Sequence, residues 1–259
     1  MWFSCGAASA VAAKLAVEEF GDDNLEICYC DTLKWEHPDN TRFLKAVEAW
    51  IGRPIKLLKT SNPAYLDEQG RPDIYRVFDE TGWLVGPRGA RCTTELKRNV
   101  RRDYQQPDDV HIFGLTVDET MPLCGNHTRD RVARFTAQNS GVDCDWILVR
   151  HGITKAACYE ILKAAGITLP AMYRLGYTNN NCIGCVKGYA GYWNKIRKDF
   201  PDVFAKMAAQ ERKMGVSICR VSINGKPTRV FLDQLPPDVG NYGQEPDIEC
   251  GVLCVKPGE

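Results

Sequence analysis

Residues 2–16 read WFSCGAASAVAAKLA, and the reading of this stretch decides the fold. A short apolar run, Trp2-Phe3, is followed by the small residues Ser4-Cys5-Gly6-Ala7-Ala8-Ser9 and then by an alanine-rich helical pattern. That order predicts a strand, a turn and a helix. The turn offers small residues that let backbone N–H groups approach an anion, hydroxyls that donate to it, and the positive end of the following helix. Ser4, Gly6 and Ser9 are the candidate phosphate-binding residues; an ordinary tight turn before a buried helix explains the same residues equally well. The Walker pattern Gly-x-x-x-x-Gly-Lys-Ser/Thr is absent from the sequence, and a dinucleotide fingerprint fails because the turn holds one glycine.

Outward from this turn, apolar runs alternate with amphipathic stretches. Residues 10–20 read as a helix, 25–30 (LEICYC) as a buried strand, 40–52 as a helix stopped by Gly52 and Pro54, and 55–60 (IKLLKT) as a strand. Residues 110–116 (VHIFGLT) give another strand, and 154–165 another helix ending at Gly166. The rhythm predicts an α/β fold, a mostly parallel sheet with helices on both faces. Ligands in such sheets bind beyond the strand C-termini, which singles out the first turn, Asp31-Thr32 and Asp118-Glu119. Asp31 and Thr32 suit ribose or adenine contacts, or a helix cap. Asp118 and Glu119 suit a metal, or the first turn of a helix.

The C-terminal part reads as a helix over 191–214 interrupted at Pro201, a hairpin turning at Asn224-Gly225, and a Gly/Pro/Asp-rich tail expected to be mobile unless it docks. This divides the 259 residues into a nucleotide-binding α/β domain, 1–200, and a C-terminal helix, hairpin and cysteine-containing tail, 201–259. The 33 basic and 33 acidic residues balance, so no global field points to nucleic acid or membrane. No apolar run reaches the roughly 18 residues of a membrane span. A phosphate turn beginning at Ser4 leaves no room for a leader, and the expected location is the cytoplasm.

Twelve cysteines in such a compartment call for something other than disulfides. Cys28, Cys30 and Cys158 lie in strand or helix patterns and read as small buried residues. Cys182 and Cys185 form a Cys-x-x-Cys pair in a loop, while Cys250 and Cys254 crowd the polar tail. His37, His111, His127 and His151 show no metal spacing. The segment YAGYWNKIRKDF (189–200) reads as a packing helix, with nucleic-acid binding as the alternative.

Five segments in order carry a resemblance: FSCGAASAVAAKLA (3–16), ICYCDTLKWEHPDNTRFLKAV (27–47), RCTTELKR (91–98), LPAMYRLGYTNNNCIGC (169–185) and IECGV (248–252). Together they resemble the phosphoadenosine phosphosulfate (PAPS) reductase family, within the adenine nucleotide α-hydrolase-like superfamily. The first segment is similar to its phosphate loop, and the last to its Glu-Cys-Gly motif, here Glu249-Cys250-Gly251. Relatives that split ATP carry Ser-Gly-Gly-x-Asp-Ser; Ala8 stands at the aspartate position, as suits a sulfonucleotide with no pyrophosphate to release. The family's motif ends in a histidine, where this chain has Leu253.

The resemblance implies a thiol-dependent reduction of PAPS or adenosine phosphosulfate (APS) to sulfite. Cys250, with Glu249 beside it, would be the nucleophile, and a thioredoxin- or glutaredoxin-like protein the reductant. A thiolate needs an electropositive site. Lys97, Arg98, Arg129, Arg131 and Arg134 are the candidates to supply it and to hold sulfate and phosphate oxygens, with Lys97, Arg131 and Arg134 placed among the nucleotide contacts. The resemblance also implies a 4Fe–4S cluster, with zinc as the alternative. Cys92, Cys182 and Cys185 match three ligands, Thr93 stands at the fourth, and Cys250 or Cys254 is left to close the set. Two other functions stay open: a sulfurtransferase that adenylates a nucleic acid and uses the cluster, and a nucleotide-binding protein without catalysis.

Overall fold

In the computed structural model, the structure describes every residue except 22–23, 87–88, 121–129, 140, 224, 249 and 251–259, together with the side chains of 134, 138 and 223. The chain is mixed α/β. Strand β1 (Trp2–Phe3) pairs in parallel with β2 (Cys28–Cys30), which pairs in parallel with β3 (Lys56–Leu58). The antiparallel pair β4 (Val85–Gly86) and β5 (Gly89–Ala90) stands apart. Strands β6 (His111–Ile112) and β7 (Cys144–Asp145) form a second parallel pair, joined to β1 by a lone parallel bridge between Trp2 and Phe113. The strands are therefore short, and the parallel sheet is interrupted rather than extended. Pairing at β1 stops at Phe3 because the chain turns at Cys5, a non-glycine residue with φ 58°.

Side-chain alternation along these strands sorts residues onto two faces. Phe3, Tyr29 and Ile112 join one hydrophobic cluster with the helices Ala7–Phe20, Asp39–Ile51 and Lys155–Ala164. Trp2, Cys28, Cys30 and Phe113 face the other way, against Val100, Tyr104 and Phe135. The first helix packs closely because Ala10, Ala12, Ala13 and Ala16 are fully buried.

A second large cluster lies away from the sheet. It joins Ile74, Phe78 and Leu96 to Trp193, Met207, Cys219 and Leu232, so a single core runs across residue 200. The interruption at Pro201 separates helices Ala190–Asp199 and Pro201–Met214. The hairpin is present as antiparallel β8 (Cys219–Ile223) and β9 (Lys226–Val230).

The tail corrects the expectation of mobility as far as Ile248. Glu245 accepts hydrogen bonds from the Gly191 and Tyr192 amides at 2.6 and 2.8 Å, satisfying N–H groups that open the helix Ala190–Asp199. Asn194 Nδ2 donates to the Pro236 and Val239 carbonyls, and Asn181 Nδ2 to the Ile248 carbonyl at 3.0 Å. Gly240, at φ +85°, lies so close that a Cβ there would sit 2.2 Å from the Gly191 nitrogen. No helix among the described residues is long and apolar enough to cross a membrane.

Candidate functional site

A cavity of about 150 Å³ opens where the first turn meets β6, the Asn179–Asn181 loop and the tail. One wall is the predicted phosphate turn, with Ser4, Gly6 and Ser9. Ser9 organises it: its hydroxyl accepts from the Ser4 and Gly6 amides at 3.1 and 3.3 Å and donates to the Gly6 carbonyl at 3.0 Å. Gly114 closes behind it, where a Cβ would lie 2.7 Å from the Ser9 Cα. Two backbone amides thus converge on one hydroxyl oxygen, the geometry of an anion nest filled by the protein's own group.

Facing this turn stand Lys97 and Cys250, and Arg131 and Lys155 complete a cationic rim. Lys97 is buried, carried by a wide π-helical turn, Thr94–Arg98, all five residues of which are buried. Burial works against its charge, but the thiols of Cys250 and Cys182 and the Glu36 carboxylate outweigh burial and hold its pKa above the usual lysine range. Arg131 pairs with Glu119, which also accepts from the Thr116 amide at 2.8 Å. Lys155 donates to the Thr178 carbonyl at 2.8 Å. Asn180, on the cavity wall, donates through Nδ2 to the Cys5 carbonyl at 2.6 Å, while its buried Oδ1 has no hydrogen-bond partner.

Two cysteines, Cys30 and Cys250, line the cavity, and Thr93 Oγ1 lies 3.5 Å from the sulfur of Cys250. Its thiol is held well below the ordinary thiol range, first by a hydrogen bond from the Cys185 thiol and then by the charges of Lys97 and Lys187, against burial. The proton stays on Cys185, whose pKa is raised by that same hydrogen bond and by burial. Burial and the neighbouring Cys250 push Cys92 up to about 12, and burial raises Cys182. Tyr192 ties these pieces together. Its hydroxyl accepts from the Cys185 amide at 2.9 Å and donates to the Cys182 carbonyl, while its own amide holds Glu245 of the tail. Gly184, at φ +73°, makes the turn between the two cysteines.

Cys92, Cys182, Cys185 and Cys250 thus share one neighbourhood, with Cys250 supplying the fourth sulfur where Thr93 does not. Sulfur-only donors suit a thiolate-bound iron–sulfur cluster or zinc. The side chains are nevertheless not drawn into a ligating group: among the described residues no three His, Cys, Asp or Glu converge as a metal ion requires. Cys254, expected as a ligand, and Glu249, expected beside the nucleophile, lie outside the described residues, as do Arg129 and the side chain of Arg134.

Several expected contacts belong elsewhere. Asp31 and Thr32 are not on the cavity wall: Asp31 Oδ1 caps the Leu33 amide at 3.1 Å, and the buried Thr32 hydroxyl donates to Glu36 at 2.6 Å. Tyr29 and Cys30 of β2 reach the cavity instead. Asp118 accepts from the Lys155 amide at 2.6 Å, and Glu119 is engaged by Thr116 and Arg131, so neither acid stands open for a metal. Arg98 is buried away from the cavity wall. Lys155 and Asn180 were not singled out from the sequence; Lys155 looks like any cation in the first turn of a helix, and only the fold brings it to the cavity wall. Compared with protein-family models and with curated proteins, the chain matches none.

Proposed function

We propose that this protein is a sulfonucleotide reductase-like enzyme, in which an adenine nucleotide lies against the Ser4–Ser9 turn and Cys250 attacks its sulfonate sulfur. The observation that carries this reading is the meeting of a tail thiol with the small-residue turn and Lys97 in one cavity. The left-to-right order β3-β2-β1-β6-β7 supports an adenine nucleotide α-hydrolase-like fold, with the ligand beyond the C-terminal end of the central strand.

In this reading Lys97, Arg131 and Lys155 hold phosphate and sulfonate oxygens. The Cys250 thiolate forms a bond to the sulfonate sulfur as the sulfur–oxygen bond to the nucleotide breaks. The electron pair leaves with the nucleotide phosphate, and Cys250 becomes an S-sulfocysteine. Two-electron reduction by thiols of a thioredoxin- or glutaredoxin-like partner then yields sulfite. The cavity is smaller than the ~300–1,000 Å³ of common ligand sites. In this reading the cavity widens to take a whole nucleotide. Ten unpaired cysteines among the described residues suit a reducing, cytoplasmic setting.

The gathering of four thiols favours a second reading. A cluster held by Cys92, Cys182, Cys185 and Cys250 would supply the sulfur chemistry of a transferase acting on an adenylated nucleic acid. Ala8, in place of the aspartate that helps hold pyrophosphate, counts against it. The deciding experiment offers PAPS, APS and ATP in parallel, anaerobically and with thioredoxin. Sulfite from either sulfonucleotide supports the reductase. AMP and pyrophosphate from ATP, without sulfite, refute it in favour of the transferase.

A further inference from the structure

Behind the cavity wall, against Cys250, lies a sulfur for which single-thiol attack has no use. Cys185 is buried and unpaired in the second hydrophobic cluster, with Cys250 packed against it, and its thiol donates a hydrogen bond to Cys250. Its position is over-determined: the Gly184 turn, the Tyr192 hydroxyl on its amide and the Glu245 anchor of the tail all bring Cys185 and Cys250 together from 65 residues apart in sequence. A thiol held next to a reacting sulfur competes very favourably with a thiol arriving from solution, because its approach entropy is already spent.

We propose that Cys185 is the resolving thiol, which displaces sulfite from S-sulfonated Cys250 and leaves a Cys185–Cys250 disulfide. This rests on the sulfonucleotide reading of the same site. The bond between Cys250 Sγ and the sulfonate sulfur breaks as the bond between the two Sγ atoms forms. Its electron pair departs with sulfite, and the Cys185 thiol proton passes to sulfite or water. Two thiols lose two electrons; the substrate sulfur gains them in passing from the sulfate to the sulfite level. An external dithiol then reduces the disulfide by exchange. The partner protein accordingly meets a disulfide, not an S-sulfonate, and sulfite is released before the partner binds.

The test uses the full chain, reduced, freed of small thiols and kept anaerobic, mixed with excess PAPS or APS and no reductant. The expected result is one sulfite per chain, with a Cys185–Cys250 cross-link in the peptide map that is absent without nucleotide. Cys185→Ser should still release nucleotide in a first turnover, more slowly because Cys250 loses the thiol that donates to it, should gain the mass of a sulfonate on Cys250, and should yield sulfite only after thioredoxin is added. A wild-type chain that accumulates the sulfonate adduct, with no cross-link, overturns the proposal while leaving the reductase reading in place. So does stoichiometric iron or zinc that Cys185→Ser loses. A wild-type chain that releases no nucleotide overturns both.

Discussion

The two walls of the cavity are built in opposite ways. The Ser4–Ser9 wall is one continuous stretch, held by hydrogen bonds that span at most five residues. The other wall presents Cys250, with Cys92 and the Cys182–Cys185 turn behind it, and it depends on long-range contacts, those of Tyr192, Glu245 and Asn181 among them, that dock a distant tail. A local wall is vulnerable at its points of closest approach. An assembled wall is vulnerable at its anchors, which lie away from the chemistry.

The largest effect that would sharpen this contrast is expected at Lys97, where both walls meet. Lys97→Met removes the buried charge that favours the Cys250 thiolate and holds anionic oxygens, and single-turnover nucleotide release should fall by about 10²-fold. A change of only a few-fold would remove Lys97 from the site. Next comes Gly114→Ala, whose Cβ would meet the Ser9 Cα at 2.7 Å and its nitrogen at 2.8 Å. Both contacts are backbone, so the turn itself must shift; denaturant unfolding should show a loss of about 1–3 kcal/mol, together with weaker nucleotide binding. Unchanged stability and binding would mean that the turn is more adaptable than its contacts indicate.

Glu245→Ala tests the other kind of wall. Losing the cap should cost about 1 kcal/mol, and limited proteolysis should then cut within residues 240–250 while leaving the Ser4–Ser9 turn protected. Equal protection in variant and wild type would show that the tail does not depend on this anchor. The smallest effect belongs to His111, on the sheet side, whose imidazole accepts from Trp2 Nε1 at 2.8 Å. Burial, aided by Arg101, lowers its pKa from 6.5 to about 4. Its contribution is complete above the unfolded value and is lost as pH falls from there through about 4. The decline is less than about 1 kcal/mol between about pH 7 and about pH 6. His111→Gln should flatten that part of the stability profile, and a slope that persists would assign it to another group.

Local signals were readable where the responsible residues are neighbours in sequence. The helix Asp39–Ile51 ends at Gly52 as its left-handed cap requires, and between β8 and β9 Gly225 takes φ 75°. The strands came out shorter than the apolar runs suggest, because Leu25 and Ile27 are buried although residue-by-residue pairing of β2 begins only at Cys28. Asp31 and Thr32 misled for a related reason: polar residues after a strand satisfy a ligand or a local cap with the same atoms, and here the Leu33 amide and Glu36 were nearer. The tail misled in the other direction. Its composition is that of a loop, yet Glu245 finds two helix amides that no local pattern announces.

By itself the sequence determined the small-residue turn and the alternation of strand and helix. These depend on neighbours along the chain, where propensity and periodicity act. Only the tertiary structure decided that Lys97 and Lys155 face one cavity, and that Cys250 lies beside Cys185. Such pairings cost loop-closure entropy and are set by whichever long-range contacts repay it. Residues separated by 65 positions carry no mark of meeting until Tyr192 and Glu245 bring them together.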